Sequence, residues 1–86
     1  MEIILNNNEQ AQRFETRIDG QLAYLEYKVS GDTIYLTHLF VPPSLRGQGI
    51  AAEITRQAIA SINAQGLEIV PVCPYVITYM QRHGKE

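Results

Sequence analysis

The residues with the most chemical meaning lie at one junction, Arg46-Gly47-Gln48-Gly49-Ile50-Ala51, just after an apolar run that ends in Val41-Pro42-Pro43. Glycines let the backbone approach a ligand closely and reach φ values that other residues avoid. Where such a loop opens a helix, the first N–H groups have no internal acceptor and carry the positive end of the helix dipole. That combination suits a phosphate or diphosphate, with Arg46 and Gln48 as added donors. Read alone, two glycines equally suit an ordinary turn into a helix. The Lys-Ser/Thr pair of a P-loop is missing, and so is the third glycine of a dinucleotide fingerprint. Elsewhere the reactive side chains are Cys73, the single cysteine, and two histidines, His38 and His83. Cys73 precedes Pro74 and an expected helix start, a setting that favours a thiolate. It reads equally as a buried small hydrophobe. One cysteine excludes an intrachain disulfide, and its spacing to His38 and His83 matches no zinc motif, so no metal site is expected.

These groups must be positioned by strands first and helices later. Residues 2–5 suit a short strand and residues 6–8, three asparagines, a turn. Residues 12–18 alternate Phe14 and Ile18 against Arg13, Glu15 and Arg17, the pattern of a half-exposed strand. Asp19-Gly20 is a two-residue hairpin signal. Residues 21–29 alternate again, and residues 30–32 make the next turn. Residues 33–41 are apolar at both parities, which predicts a central strand covered on both faces. His38 shares parity there with Leu36 and Phe40, so its packing role would be that of a hydrogen-bonded core histidine. From residue 44 to 64 the period changes: Ile50, Ile54, Ala58 and Ile62 form a helical stripe that Gly66 closes. Residues 67–72 read as a short buried strand, interrupted near its end by Pro71. Pro74 suits a first helical position, with residues 75–83 following as a last helix. A strand, a long helix and a strand make a βαβ crossover with parallel strands. The expected class is α+β, an antiparallel meander followed by that crossover and a short C-terminal helix.

Composition narrows the function classes. With 86 residues there is room for one domain, expected to span 1–86. Seven basic against nine acidic residues give a net charge of −2, and the basic ones form no run. Nucleic acid is therefore not an expected partner, since binding to it rests on clustered Lys and Arg. The apolar residues 69–77 are broken by two prolines and fall short of the ~20 needed to span a bilayer. The opening turns polar at residue 6, unlike a signal peptide. The expectation is a cytoplasmic protein without membrane association, a monomer or weak dimer.

The junction also carries a family likeness. Residues 46–51 fit the R/Q-x-x-G-x-G/A motif of the GNAT superfamily of N-acetyltransferases, and the chain resembles that family from about Tyr24 to His83. Thr37-His38, the Arg-Gly-Gln-Gly segment and Cys73-Pro74-Tyr75, followed by Tyr79 and Arg82-His83, resemble its very small YjdJ-type members. The resemblance implies the GNAT fold, with acetyl-coenzyme A wedged where the fourth and fifth strands splay. It implies backbone contacts from Leu39, Phe40 and Val41 to the pantetheine arm, and a pyrophosphate cradle from Arg46, Gly47, Gln48, Gly49, Ile50 and Ala51. The implied partners are acetyl-coenzyme A and an amine-bearing acceptor. Between Leu5 and Gln12 there is no room for the helices with which larger members bind the acceptor. The tail His83-Gly84-Lys85-Glu86 also departs from the His-Pro-Glu-Tyr usual in the small subfamily.

Acetyl transfer needs a nucleophile, an oxyanion donor and a proton source for the leaving thiolate. A backbone N–H in residues 39–41 is the natural oxyanion donor. Cys73 is a candidate nucleophile passing through an acetyl-cysteine, with His38 as its activating base. Tyr79 is a candidate general acid, because the family often uses a tyrosine on this helix; core packing explains it equally. The alternative function is a noncatalytic module that binds acetyl-CoA or CoA. A thiol-redox role is disfavoured by the lack of a resolving cysteine.

Overall fold

The computed structural model describes residues 2–83. Five strands, β1 (Asn6–Asn8), β2 (Arg13–Ile18), β3 (Gln21–Ser30), β4 (Thr33–Phe40) and β5 (Glu68–Pro71), form one sheet in sequence order. The first four pair antiparallel, and β5 runs parallel to β4. Helix α1 (Ile50–Ala64) makes the crossover and α2 (Pro74–His83) follows β5. This is the expected α+β meander with a βαβ unit.

Local chemistry explains most elements. Asp19 and Gly20 both take positive φ (52° and 74°), as a two-residue hairpin turn requires. Helix α1 buries Ile50, Ile54, Thr55, Ala58, Ile59 and Ile62. Each fully buried isoleucine is worth about 2–3 kcal/mol, so this stripe outweighs helix propensity in holding α1. It packs on Phe14, Ala23, Leu25, Tyr27, Ile34 and Leu36 from the inner face of the sheet, and α2 adds Val76 and Tyr79 to the same core. Pro71 sits on the edge strand. The amides of Glu68 and Val72 bond the carbonyls of Asp32, just before β4, and Leu36 within it, so the alternate position 71 faces away and its missing N–H costs no ladder bond.

Three sequence expectations are corrected. Residues 2–5 form no strand: Ile3 is buried in the core and its carbonyl accepts a bond from the Gln57 side chain (2.8 Å). Pairing starts instead in the asparagines expected to turn, with Asn6 opposite Glu15 and Asn8 opposite Arg13. The long helix begins at Ile50, not near residue 44. Residues Pro43–Leu45 make a 3-10 turn, after which Gly47 and Gly49, each at φ 81°, break any helical path.

The third correction concerns β4. Tyr27 pairs with Leu36 but Glu26 pairs with His38, so Thr37 is an extra residue with no counterpart on β3. Such a bulge inverts the alternation downstream. Ile34 and Leu36 face the core before it, and Leu39 and Val41 pack on the core after it. The apolar residues at both parities thus reflect one covered face joined across a bulge. His38 is exposed on the other face, not held in the core.

Candidate functional site

The bulge shapes one end of the molecule. The register of β4 with β5 stops at Leu36–Pro71, and the Leu36 carbonyl accepts from both the Val72 and Cys73 amides (2.9 Å each). Beyond that point β4 continues to Phe40 without a described strand on this side, so its peptide groups there stay open to a ligand. The fork leads into a cleft of about 470 Å³, lined by Leu39, Val41, Leu45, Arg46, Gly47, Gly49, Ile50, Ala51, Ala52 and Tyr75.

One wall is the start of α1. Gly49, in the left-handed conformation, is the N-cap, and its carbonyl takes the first helical bond, from the Glu53 amide (3.1 Å). The amides of Ile50, Ala51 and Ala52 therefore have no acceptor within the helix. A Cβ on Gly47 or Gly49 would meet nothing within 4 Å. These glycines serve the backbone turn, and the space over them is open to the cleft. Arg46 Nε bonds the Val41 carbonyl (2.9 Å), tying the loop to the end of β4. The Ser44 hydroxyl and the Gln21 side-chain amide, 2.9 Å apart, tie it to β3.

An acid in the first turn opposes an anion site, and α1 carries Glu53 there. Its carboxylate is taken by Arg56 (3.0 and 2.6 Å) and Gln57 (2.7 Å). The Arg56 bonds, and then the Gln57 amide, hold its pKa down at about 2. Both partners lie one turn downstream, so the carboxylate leans away from the open amides.

Of the expected cofactor residues, the cleft brings together Leu39, Val41, Arg46, Gly47, Gly49, Ile50 and Ala51. Gln48 is exposed outside its lining, and the Phe40 side chain lies on the outer face, 5.5 Å from the Tyr24 ring. The expected catalytic residues are more scattered. Cys73, the second residue after β5, is buried in the core cluster beside the fork. Its amide bonds the Leu36 carbonyl (2.9 Å), two residues before His38. Their side chains leave from opposite faces, and the His38 ring lies 6.2 Å from Tyr24. Tyr79 is buried, with its ring 4.3 Å from His83 and outside the cleft lining.

Sequence reasoning overlooked Tyr75. It stands in the first turn of α2, 40% exposed, on the cleft wall facing α1. Partial burial pushes its phenol above the ordinary tyrosine value, and Arg82 offsets this only in part. The phenol thus remains an O–H donor at neutral pH. The helical stripe could have revealed it: Val76 and Tyr79 point inward three residues apart, which leaves position 75 off that stripe.

Among the described residues, no group of three or more His, Cys, Asp and Glu side chains is placed to hold a metal ion. No described helix is long and apolar enough to cross a membrane. A family model, GCN5-related N-acetyl-transferase, matches residues 13–86, which include every residue lining the cleft.

Proposed function

Because the chain belongs to the GCN5-related N-acetyltransferase family, we propose that it transfers an acetyl group from acetyl-coenzyme A to an amine, by way of Cys73. One observation carries the proposal: the open amides of α1 and the unpaired end of β4 meet in a single cleft. The likeness to the very small YjdJ-type members points the same way.

When bound, the thioester supplies an electrophilic carbonyl and a thiolate leaving group. The amides of Ile50, Ala51 and Ala52 hold the diphosphate, with the Arg46 guanidinium and the Gln48 side chain beside them. The peptide groups of residues 39–41 align the pantetheine arm, and one N–H among them stabilises the oxyanion. Such a donor is worth about a hundredfold in rate. Cys73 Sγ attacks the carbonyl; its bond to carbon forms as the carrier's carbon–sulfur bond breaks, and its S–H proton replaces the one that Tyr75 gives up. Tyr75 donates its phenolic proton to the departing thiolate, a role for which Tyr79 lies deeper in the core. The amine nitrogen then bonds to the acetyl carbon, the Cys73 carbon–sulfur bond breaks, and His38 takes the proton that nitrogen sheds.

A noncatalytic coenzyme A-binding module is the second reading. It is favoured by the short link from β1 to β2, residues 9–12, which holds no helix to grip an acceptor. Calorimetry with acetyl-CoA followed by intact-mass measurement separates the two. One added acetyl group, lost in Cys73→Ala, supports transfer through the cysteine. Free CoA release with an amine but no adduct means direct attack. Binding without release across an amine panel means the module.

A further inference from the structure

Taking acetyl transfer at the cleft as given, we propose that the acceptor binds the outer face of the sheet on a shelf of Tyr24, His38 and Phe40, and that it is a primary amine carried on a flat apolar body. The inner side of the sheet is filled by the core, α1 and α2, so an acceptor reaches the fork from the outer side. The Thr37 bulge builds the shelf there. It turns His38 and Phe40 outward, while Leu39 and Val41, alternating with them, line the cleft. Shelf and cleft are thus two faces of one strand segment.

The chemistry of the shelf selects the ligand. Tyr24 and Phe40 are half-buried, with centroids 5.5 Å apart and planes at 32°; His38 is exposed, 6.2 Å from Tyr24. Tilted, half-wet rings offer apolar area to a flat body. The Tyr24 ring already faces a cation, with the Arg13 guanidinium carbon 5.2 Å from its centroid. Glu15 is consumed by Arg13. Glu26, in register with His38 on one side and Arg13 on the other, has no ion pair among the described residues, since Arg13 is turned to Glu15. One ammonium therefore finds one uncommitted carboxylate beside the rings, whereas a polyamine would need several. An arriving ammonium loses one proton to solvent before its lone pair can attack, and the His38 imidazole takes the second as the amide forms.

The test uses benzylamine on the full chain saturated with coenzyme A. Amide resonances of residues 24, 26, 38 and 40 should shift on titration. In turnover, Tyr24→Ala should raise the benzylamine KM about tenfold and leave that for acetyl-CoA unchanged. Glu26→Gln, which preserves size, should raise it about fivefold. Shifts confined to other residues, silence at millimolar benzylamine, or an unchanged KM in Glu26→Gln would overturn the shelf, as would a clear preference for spermidine. Failure of the cleft itself reads differently: coenzyme A then leaves residues 46–52 unmoved, whatever benzylamine does.

Discussion

Leu36 and His38 stand two positions apart on β4 yet face opposite sides of the sheet, because Thr37 between them has no partner on β3. The inversion returns Leu39 and Val41 to the core side at the fork and sends His38 and Phe40 outward. Deleting Thr37 would let His38 follow Leu36 in strict alternation, leaving His38 and Phe40 outward and Leu39 and Val41 on the core side, with only the bulge removed. No buried side chain changes face, so the deletion variant should still fold, at a cost of about 1 kcal/mol for the lost Thr37 hydroxyl bond. Thr37→Ala keeps the extra residue and loses only the hydroxyl bond to the Glu26 carbonyl (3.2 Å), a cost of about 1 kcal/mol. Circular dichroism melts of the two variants check this; a deletion variant that fails to fold would contradict it.

Gly49→Ala should separate strain from crowding. Open space surrounds the position, so only the left-handed backbone resists a side chain, at about 1–2 kcal/mol. Urea denaturation should show that loss, and acetyl-CoA affinity should fall about tenfold as the α1 amides shift. Unchanged affinity would detach the helix start from ligand binding.

Tyr75→Phe should lower turnover about tenfold or more with little change in stability, since the phenol lies at the cleft and the ring stays. The fall should be in kcat, with acetyl-CoA affinity kept within about twofold. Tyr79→Phe should alter stability more than rate, given its burial. Steady-state kinetics beside thermal melts decide; the reverse pattern would return the proton donor to Tyr79.

Stability should depend on pH through Glu53. Its folded pKa, about 2, lies below the ordinary 4.5 because Arg56 and Gln57 bond the carboxylate. The contribution is therefore complete above about pH 4.5 and is lost as pH falls toward 2. The pair is solvent-exposed, which limits the effect to less than about 1 kcal/mol. In urea titrations Glu53→Gln should be less stable than the parent at pH 6, and the gap should close near pH 2 and shrink in high salt. A gap that persists at pH 2 would contradict the assignment.

Much of the fold is legible in the chain because its signals are local. Period-two alternation marks β2 and β3, Asp19-Gly20 marks their turn, and isoleucines at four-residue spacing mark α1. A bulge leaves no such trace. One inserted residue turns a one-sided apolar face into what reads as a strand covered on both sides, which is why His38 reads as a core residue. The start of α1 is obscured for a related reason: residues 44–46 suit a helix, and only the positive φ at Gly47 and Gly49 moves the first open amide to Ile50. The open start of α1 is visible in the glycines themselves. Tyr75 is visible only once α2 has an inside and an outside, and the relation of Cys73 to His38 depends on a register that residue types do not encode.

The most direct measurement is an amide-resolved titration with acetyl-CoA. Saturable shifts should concentrate at residues 46–52 and 39–41 and weaken about tenfold in Gly49→Ala. Saturable binding that leaves those amides still, or no binding at millimolar acetyl-CoA, would contradict binding at the cleft.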